Sequence, residues 1–201
     1  SERAELIDSL KPFVGMFSGD WFIARTGYTG AKGVEIILPN EEVVEFWSAI
    51  RGAGIAAVGF GARDTLRREA GMNLYGCDRD KIVTPLESKM SSTVVMNGDH
   101  DFIGKTALEA QLASGVKKEL IGLVMLEKGV LRGHYPVFSN GEEIGEITSG
   151  AFSPTLSHSV ALARVEMGAG ELEVGIRNKQ VPVVRVSPPF ARNGKQVFKL
   201  P

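Results

Sequence analysis

Helical periodicity stops at residue 119 of this 201-residue chain, and the strand-like texture beyond that point limits the architectures available. The runs ELIGLVML, YPVFSNGEEIGEITSG, SVALARV, ELEVGI and QVPVVRVS are short, rich in β-branched residues and broken by Gly, Asn and Pro. Five or six strands in about 80 residues, with no helix among them, imply a small barrel or a sandwich. Asn140-Gly141 lies between two such runs and is a strong two-residue hairpin signal.

The first part of the chain has a different texture. DWFIART (20–26) and GVEIILP (33–39) read as strands joined by a Gly-rich loop, hence a hairpin. NEEVVEFWSAIRGAG then predicts a helix with Asn40 as N-cap, Glu41 and Glu42 in the first turn, and Val43, Val44, Phe46, Trp47 and Ile50 as its apolar stripe. Gly52 and Gly54 end it. IAAVGFG (55–61) reads as a short strand and turn. ARDTLRREAGM reads as a second helix with Leu66 and Ala70 inward and Gly71 as its stop. Ahead of these, Ala4, Leu6, Ile7 and Leu10 suggest a short amphipathic helix stopped by Pro12. The opening, SERAELIDSLKPF, has no initiator Met and no targeting segment, and reads as the continuation of something longer. After Thr84-Pro85 a connector helix, 103–115, carries Ala107, Leu108 and Leu112 on one side. The expected division is 1–88, then a helical connector over 89–118, then a β domain over 119–201. The fold class is α+β, with helices on a mainly antiparallel sheet followed by the small β domain.

Composition excludes several classes. Lys plus Arg total 23 against 24 Asp plus Glu, so no strong non-specific nucleic-acid or anionic-membrane binder is expected. Cys77 is the single cysteine and has no internal disulfide partner; no Cys/His spacing suits zinc. His100, His134 and His158 are scattered. A reducing compartment fits best, and no apolar stretch approaches the roughly 20 residues of a membrane span.

Two places can carry ligand chemistry. ARTGYTGAKGVEI (24–36) has neither phosphate-loop spacing nor a following helix, so its glycines make a hairpin turn. Glu35 within the V-E-I run either faces solvent by strand alternation or aims into a pocket as an acceptor for paired donors. Arg63, Arg67 and Arg68 either form a solvated helix face balanced by Asp64 and Glu69, or place Arg63 against an anion near the helix start. Trp21 and Trp47 read as core, and Cys77 as a small buried or loop residue. No Ser/His/Asp arrangement is present.

Six stretches, in order, carry a resemblance: RTGYTGAKGVEIILP, GFGARDTLRREAGMNLYG, TPLES, DFIGKTAL, GLVMLEKGVLRGHYPV and GEITSGAFSPTLSHSVALARV. Together they resemble the aminomethyltransferase (T-protein) family of the glycine cleavage system, over about residues 12 to 200. The resemblance implies a truncated folate-binding domain with helices on a mainly antiparallel sheet, followed by a small C-terminal β-barrel. It implies release of ammonia from an aminomethyl group on the lipoyl arm of the H-protein, with the one-carbon unit passing to tetrahydrofolate to give 5,10-methylenetetrahydrofolate. Glu35 matches the family acid that binds the folate, Arg63 a family ligand-binding arginine, and Tyr28 a position lining the same pocket. A further folate-contacting position near the C-terminus falls on Lys195 or Arg192. The family's catalytic aspartate belongs to an N-terminal portion without counterpart here, so no catalytic residue is expected in this chain, and turnover by the chain alone is not expected. The implied partners are tetrahydrofolate and lipoylated H-protein, with no nucleic acid and no membrane. The implied location is the bacterial cytoplasm, or the mitochondrial matrix in a eukaryote.

Two relatives of the same fold are alternatives. A folate-dependent sarcosine or dimethylglycine oxidase would carry a flavin domain upstream. A non-catalytic folate-binding protein of iron–sulfur assembly would carry K-G-C-Y-x-G-Q-E, where this chain has NLYGCDRD. An oligonucleotide-binding barrel would need basic residues interleaved with aromatics, and residues 119–187 offer only Tyr135, Phe138 and Phe152.

Overall fold

The computed structural model describes residues 2–200 and divides into two compact units, 1–66 and 67–201. The first unit holds α1 (Glu2–Ser9), β1 (Gly15–Ser18), β2 (Trp21–Ala24), β3 (Glu35–Ile37), α2 (Asn40–Gly52) and the start of α3 (Phe60–Glu69). The three strands form an antiparallel sheet in the order β1-β2-β3. Pairing of Ile23 with Ile36 and of Ala24 with Glu35 realises the expected hairpin. Pleating puts Trp21, Ile23 and Ile36 on one face. There they form a core with Leu6, Ile7 and Leu10 from the first helix and its exit, and with Phe46 of α2. The Trp21 indole N–H donates to Glu42 at 2.9 Å, and the Arg3 guanidinium lies 4.0 Å from the Trp21 ring centroid. Two polar side chains thereby tie α1 and α2 to the sheet.

Several expectations for this unit need correction. β1 joins the sheet although its sequence, GMFS, is too short to show an alternation; the Gly19 turn (φ 60°) returns it to β2. Residues 55–59 form no strand, because no neighbouring chain offers them a hydrogen-bonded edge, and Ile55 and Val58 stand in solvent. Asn40 is the first residue of α2 rather than its cap: Pro39 precedes it and no side chain caps the end. Of the expected stripe only Phe46 joins the core, while Val44 and Trp47 are 71% and 52% exposed.

The second unit holds the end of α3, a 3-10 turn at Pro85–Ser88, α4 (Lys105–Ser114) and eight strands. Six of them, β4 (Lys118–Met125), β5 (Pro136–Ser139), β6 (Glu142–Ser153), β7 (His158–Glu166), β8 (Leu172–Ile176) and β9 (Lys179–Val186), close a barrel in the order β4-β7-β6-β5-β8-β9. Every pairing in it is antiparallel. The choice between sandwich and barrel is thus settled as a barrel, and Asn140-Gly141 makes its hairpin with φ of 52° and 82°. The interior is filled by Ile121, Leu123, Met125, Ile147, Ala163 and Val165 among others. A second cluster, Leu120, Val124, Val160, Leu162 and Val186, covers the outer face of β4 and β7 beneath Phe190. Burial on both faces explains why LIGLVML is a continuous apolar run. Gly122 makes this possible, since a Cβ there would lie 2.9 Å from the Phe190 ring. A last short hairpin pairs β10 (Ala191–Arg192) with β11 (Lys195–Gln196). In α4 only Leu108 is buried; Ala107 and Leu112 are exposed, contrary to expectation.

The largest departure concerns α3. FGARDTLRRE has no apolar stripe, and what it buries is Arg67 and Glu69, while Leu66 is exposed. Arg67 and Asp78 are both 0% exposed and paired at 2.9 Å. Asp78 also accepts from the Leu74 N–H and from the Thr148 hydroxyl, and its carbonyl accepts from Arg164. Thr148 is the extra residue of a bulge between Ile147 and Ser149, which turns its hydroxyl out of the barrel ladder. Glu69 accepts from the Ser153 and Thr155 hydroxyls. This buried pair, with the further hydrogen bonds that the Asp78 carboxylate accepts, holds the end of α3 and the 74–79 loop against β6 and β7.

Candidate functional site

The candidate residues in the first unit sit on the hairpin loop, the open sheet face and the first turn of α3. Cross-strand partners share a face, so β1, β2 and β3 present Phe17, Phe22, Ala24, Glu35 and Ile37 together, on the side away from the Trp21 core. Phe17 and Phe22 touch, with ring centroids 5.1 Å apart. Phe17 and Ile37 are 72% and 68% exposed. Glu35 is an exposed carboxylate at the edge of this apolar face, and among the described residues it has no hydrogen-bond or ion-pair partner. Strand alternation does turn it away from the core. The surface it joins, however, is apolar rather than a solvated polar face.

Arg63 lies in the first turn of α3, where its N–H bonds the Gly59 carbonyl. Its guanidinium stands 4.1 Å from the Phe60 ring centroid and 5.1 Å from that of Tyr28. Both distances are within cation–π range, so two aromatic rings stabilise the cation. Arg63 Nη1 is buried and has no hydrogen-bond partner. A buried guanidinium nitrogen without an acceptor is costly and rare in native structures, and it marks a place suited to a carbonyl, carboxylate or anionic group. Tyr28 and Arg63 are therefore brought together.

Arg192 and Lys195 belong to the second unit, where they face each other across the β10–β11 hairpin, both exposed. Their turn residues Asn193 and Gly194 have φ of 50° and 71°, the two-residue hairpin geometry that points both cations from one short ribbon. Cys77 is exposed on the loop that Asp78 anchors. Among the described residues no group of three or more His, Cys, Asp and Glu side chains is placed to hold a metal ion.

One further feature escapes the sequence. A cavity of about 600 Å³ between the β4–β5 loop and the β8–β9 turn is rimmed by Lys128, Arg132, Arg177 and Lys179, with Val130 and Tyr135 between them. None of the four cations forms an ion pair with a described residue. The residues come from two loops some 50 positions apart in a chain of balanced charge, so composition gives no signal for them.

Comparison with known proteins identifies the family. A family model described as the GCVT N-terminal domain matches residues 14–98, and one described as the Glycine cleavage T-protein C-terminal barrel domain matches 118–191. The chain is 55% identical over 200 residues to an aminomethyltransferase of Pseudomonas syringae pv. tomato, covering 98% of this chain and 56% of that protein. It is 53% identical to an aminomethyltransferase of Alcanivorax borkumensis, covering 98% and 55% respectively. The crystal structure of glycine cleavage system aminomethyltransferase T from Bartonella henselae superposes with a TM-score of 0.85 at 32% identity, over 96% of this chain and 55% of that one. The chain thus spans about half the length of the relatives it matches. With both domain models matched in order along it, and with the barrel they imply closed in its structure, the chain belongs to the glycine cleavage T-protein family.

Proposed function

We propose that this chain carries part of the tetrahydrofolate site of an aminomethyltransferase of the glycine cleavage system. The reaction is release of ammonia from the aminomethyl group on the lipoylated H-protein, with formation of 5,10-methylenetetrahydrofolate. Tetrahydrofolate supplies the acceptor for the one-carbon unit. The observation that carries this reading is Arg63: a guanidinium in cation–π contact with Tyr28 and Phe60, with a buried Nη1 that has no acceptor. In this reading Arg63 takes a carbonyl or anionic group of the folate, and Tyr28 fixes the guanidinium plane. Glu35 accepts from the pterin 2-amino group and the adjacent ring N–H, a paired donor edge that suits a carboxylate. The apolar surface beside Glu35, formed by Phe17, Phe22 and Ile37, suits a flat ring laid against it. Either Arg192 or Lys195 supplies a further cation. No catalytic acid or base is assigned to this chain, whose residues bind and orient. The division into 1–88, 89–118 and 119–201 rests on the change of texture along the chain; the second matched segment, 118–191, supports its start of the barrel.

For the H-protein, the unpaired cations Lys128, Arg132, Arg177 and Lys179 suit an acidic docking face. Weakened association after charge reversal at Arg132 and Arg177, with a shallower dependence on salt, is the expected sign of such docking. Among the described residues no helix is long and apolar enough to cross a membrane. The bacterial relatives support a cytoplasmic location.

Calorimetric titration with tetrahydrofolate tests the folate reading. Glu35→Ala and Arg63→Ala are each expected to weaken binding by about 1.5–3 kcal/mol, the range of charge-assisted hydrogen bonds. Unchanged affinity in both variants would refute the assignment of these residues.

A further inference from the structure

A second cavity in the barrel unit, of about 630 Å³, lies among the Pro85–Ser88 turn, the end of α4, and strands β4 and β9. No residue carried over from the family resemblance lines it. Leu86, Leu112, Val116 and Met167 supply apolar walls, and its size is in the range of small-molecule sites. Its polar groups are gathered together: Lys89, Arg185, Glu119, Ser91 and Ser187. Arg185 has its counter-charge, donating to Glu119 at 2.7 Å. Lys89 does not, since Nζ donates to the neutral Ser187 hydroxyl at 2.8 Å and forms no ion pair with a described residue. The Lys89 backbone is left-handed (φ 56°, ψ 34°), which fixes where the side chain leaves the turn. Lys89 is exposed at the cavity mouth; its partial desolvation first, and then the Arg185 guanidinium, lower its pKa below the ordinary lysine value, while Glu119 opposes them. The cluster therefore carries one positive charge in excess, beside apolar walls.

We propose that this cavity binds a small amphipathic monocarboxylate, its carboxylate on the Lys89 ammonium and its apolar body against Leu86, Leu112, Val116 and Met167. The charge arithmetic selects a monoanion. A dianion would set a second negative charge near Glu119, a neutral ligand would leave Lys89 unmatched, and a cation would be repelled by Lys89 and Arg185. The apolar walls select a ligand with a hydrocarbon or aryl body over a bare inorganic anion.

The test is titration of the full chain with octanoate, octanol and octylamine, followed through the amide resonances of Leu120, Ile121 and Val186. Octanoate is expected to bind at least about tenfold more tightly than octanol, and octylamine more weakly than either. Lys89→Gln is expected to bring octanoate and octanol within about twofold of each other. Glu119→Gln, which removes the competing carboxylate, is expected to tighten octanoate by about threefold or more. A site that is merely apolar would not move in opposite directions in the two variants. Equal binding of octanoate and octanol, retention of the preference in Lys89→Gln, or shifts confined to other amides would overturn the proposal.

Discussion

The barrel unit and the first unit spend their apolar residues differently. In the barrel, β4 and β7 are covered on both faces, one by the interior and one by Phe190 and its neighbours, and the six strands leave no open edge. In the first unit three fully buried residues, Leu10, Trp21 and Ile23, anchor the core, and neither α1 nor α2 buries a residue completely. Its other sheet face shows Phe17 and Ile37 to solvent, and there the candidate carboxylate sits. A closed barrel is a scaffold that satisfies itself. The open face is where binding energy is still available, and Arg63 Nη1 without an acceptor belongs to the same unit.

Substitutions break or sharpen this comparison in order of size. Asp78→Ala should have the largest effect, about 3–5 kcal/mol, because it removes the buried carboxylate that pairs with the buried Arg67 charge. Trp21 and Trp47 both lie in the first unit, so tryptophan fluorescence reports that unit, while amide hydrogen exchange of β4 and β7 reports the barrel. The variant should lower the protection of the β4 and β7 amides and leave the fluorescence midpoint in denaturant in place; a matching loss in both would break the comparison. Leu123→Ala, in the barrel interior, should cost about 2–5 kcal/mol with the same split between probes. Gly71→Ala should cost more than about 1 kcal/mol, since Gly71 has φ 69° and a Cβ would meet Pro188 at 2.5 Å. Trp47→Ala on α2 should stay within about 0.5 kcal/mol by the fluorescence of Trp21, as an exposed side chain requires.

The smallest effect concerns pH. Lys89 has a folded pKa below its ordinary value, so the unfolded chain binds the proton more tightly. Its penalty is fully present at neutral pH and fades as pH rises through the folded pKa towards 10.5. Lys89→Gln should therefore raise the unfolding midpoint slightly at pH 7 and lose that advantage near pH 10.5; a gain that persists at high pH would contradict the assignment.

The barrel was legible because each of its strands carries its own signal: a short β-branched run and a turn such as Asn140-Gly141. The first sheet was legible only as its hairpin, since β1 is four residues long and gains its order from β2. For α3 a pattern reading fails in a specific way. The rule that apolar residues point inward selects Leu66, but this helix end packs through Arg67 and Glu69, whose partners are Asp78 beyond the helix and Ser153 and Thr155 far along the chain. Pairs of that kind leave no local periodicity. Trp47 fails for the opposite reason: its spacing is that of a core stripe, yet no described element of its unit covers it. For the candidate site, residue types and resemblance named Glu35, Arg63 and Tyr28. Only the folded chain shows the contacts of Arg63 with two rings and the apolar face beside Glu35.

Amide hydrogen exchange with and without tetrahydrofolate tests the central claim most directly. Without ligand, the β4 and β7 amides should exchange slowest and residues 24–37 much faster. Saturating tetrahydrofolate should slow exchange over 24–37 and 60–66 and leave β4 and β7 unchanged, and Glu35→Ala should remove that protection. Protection confined to the barrel strands, with 24–37 unaffected, would contradict the account.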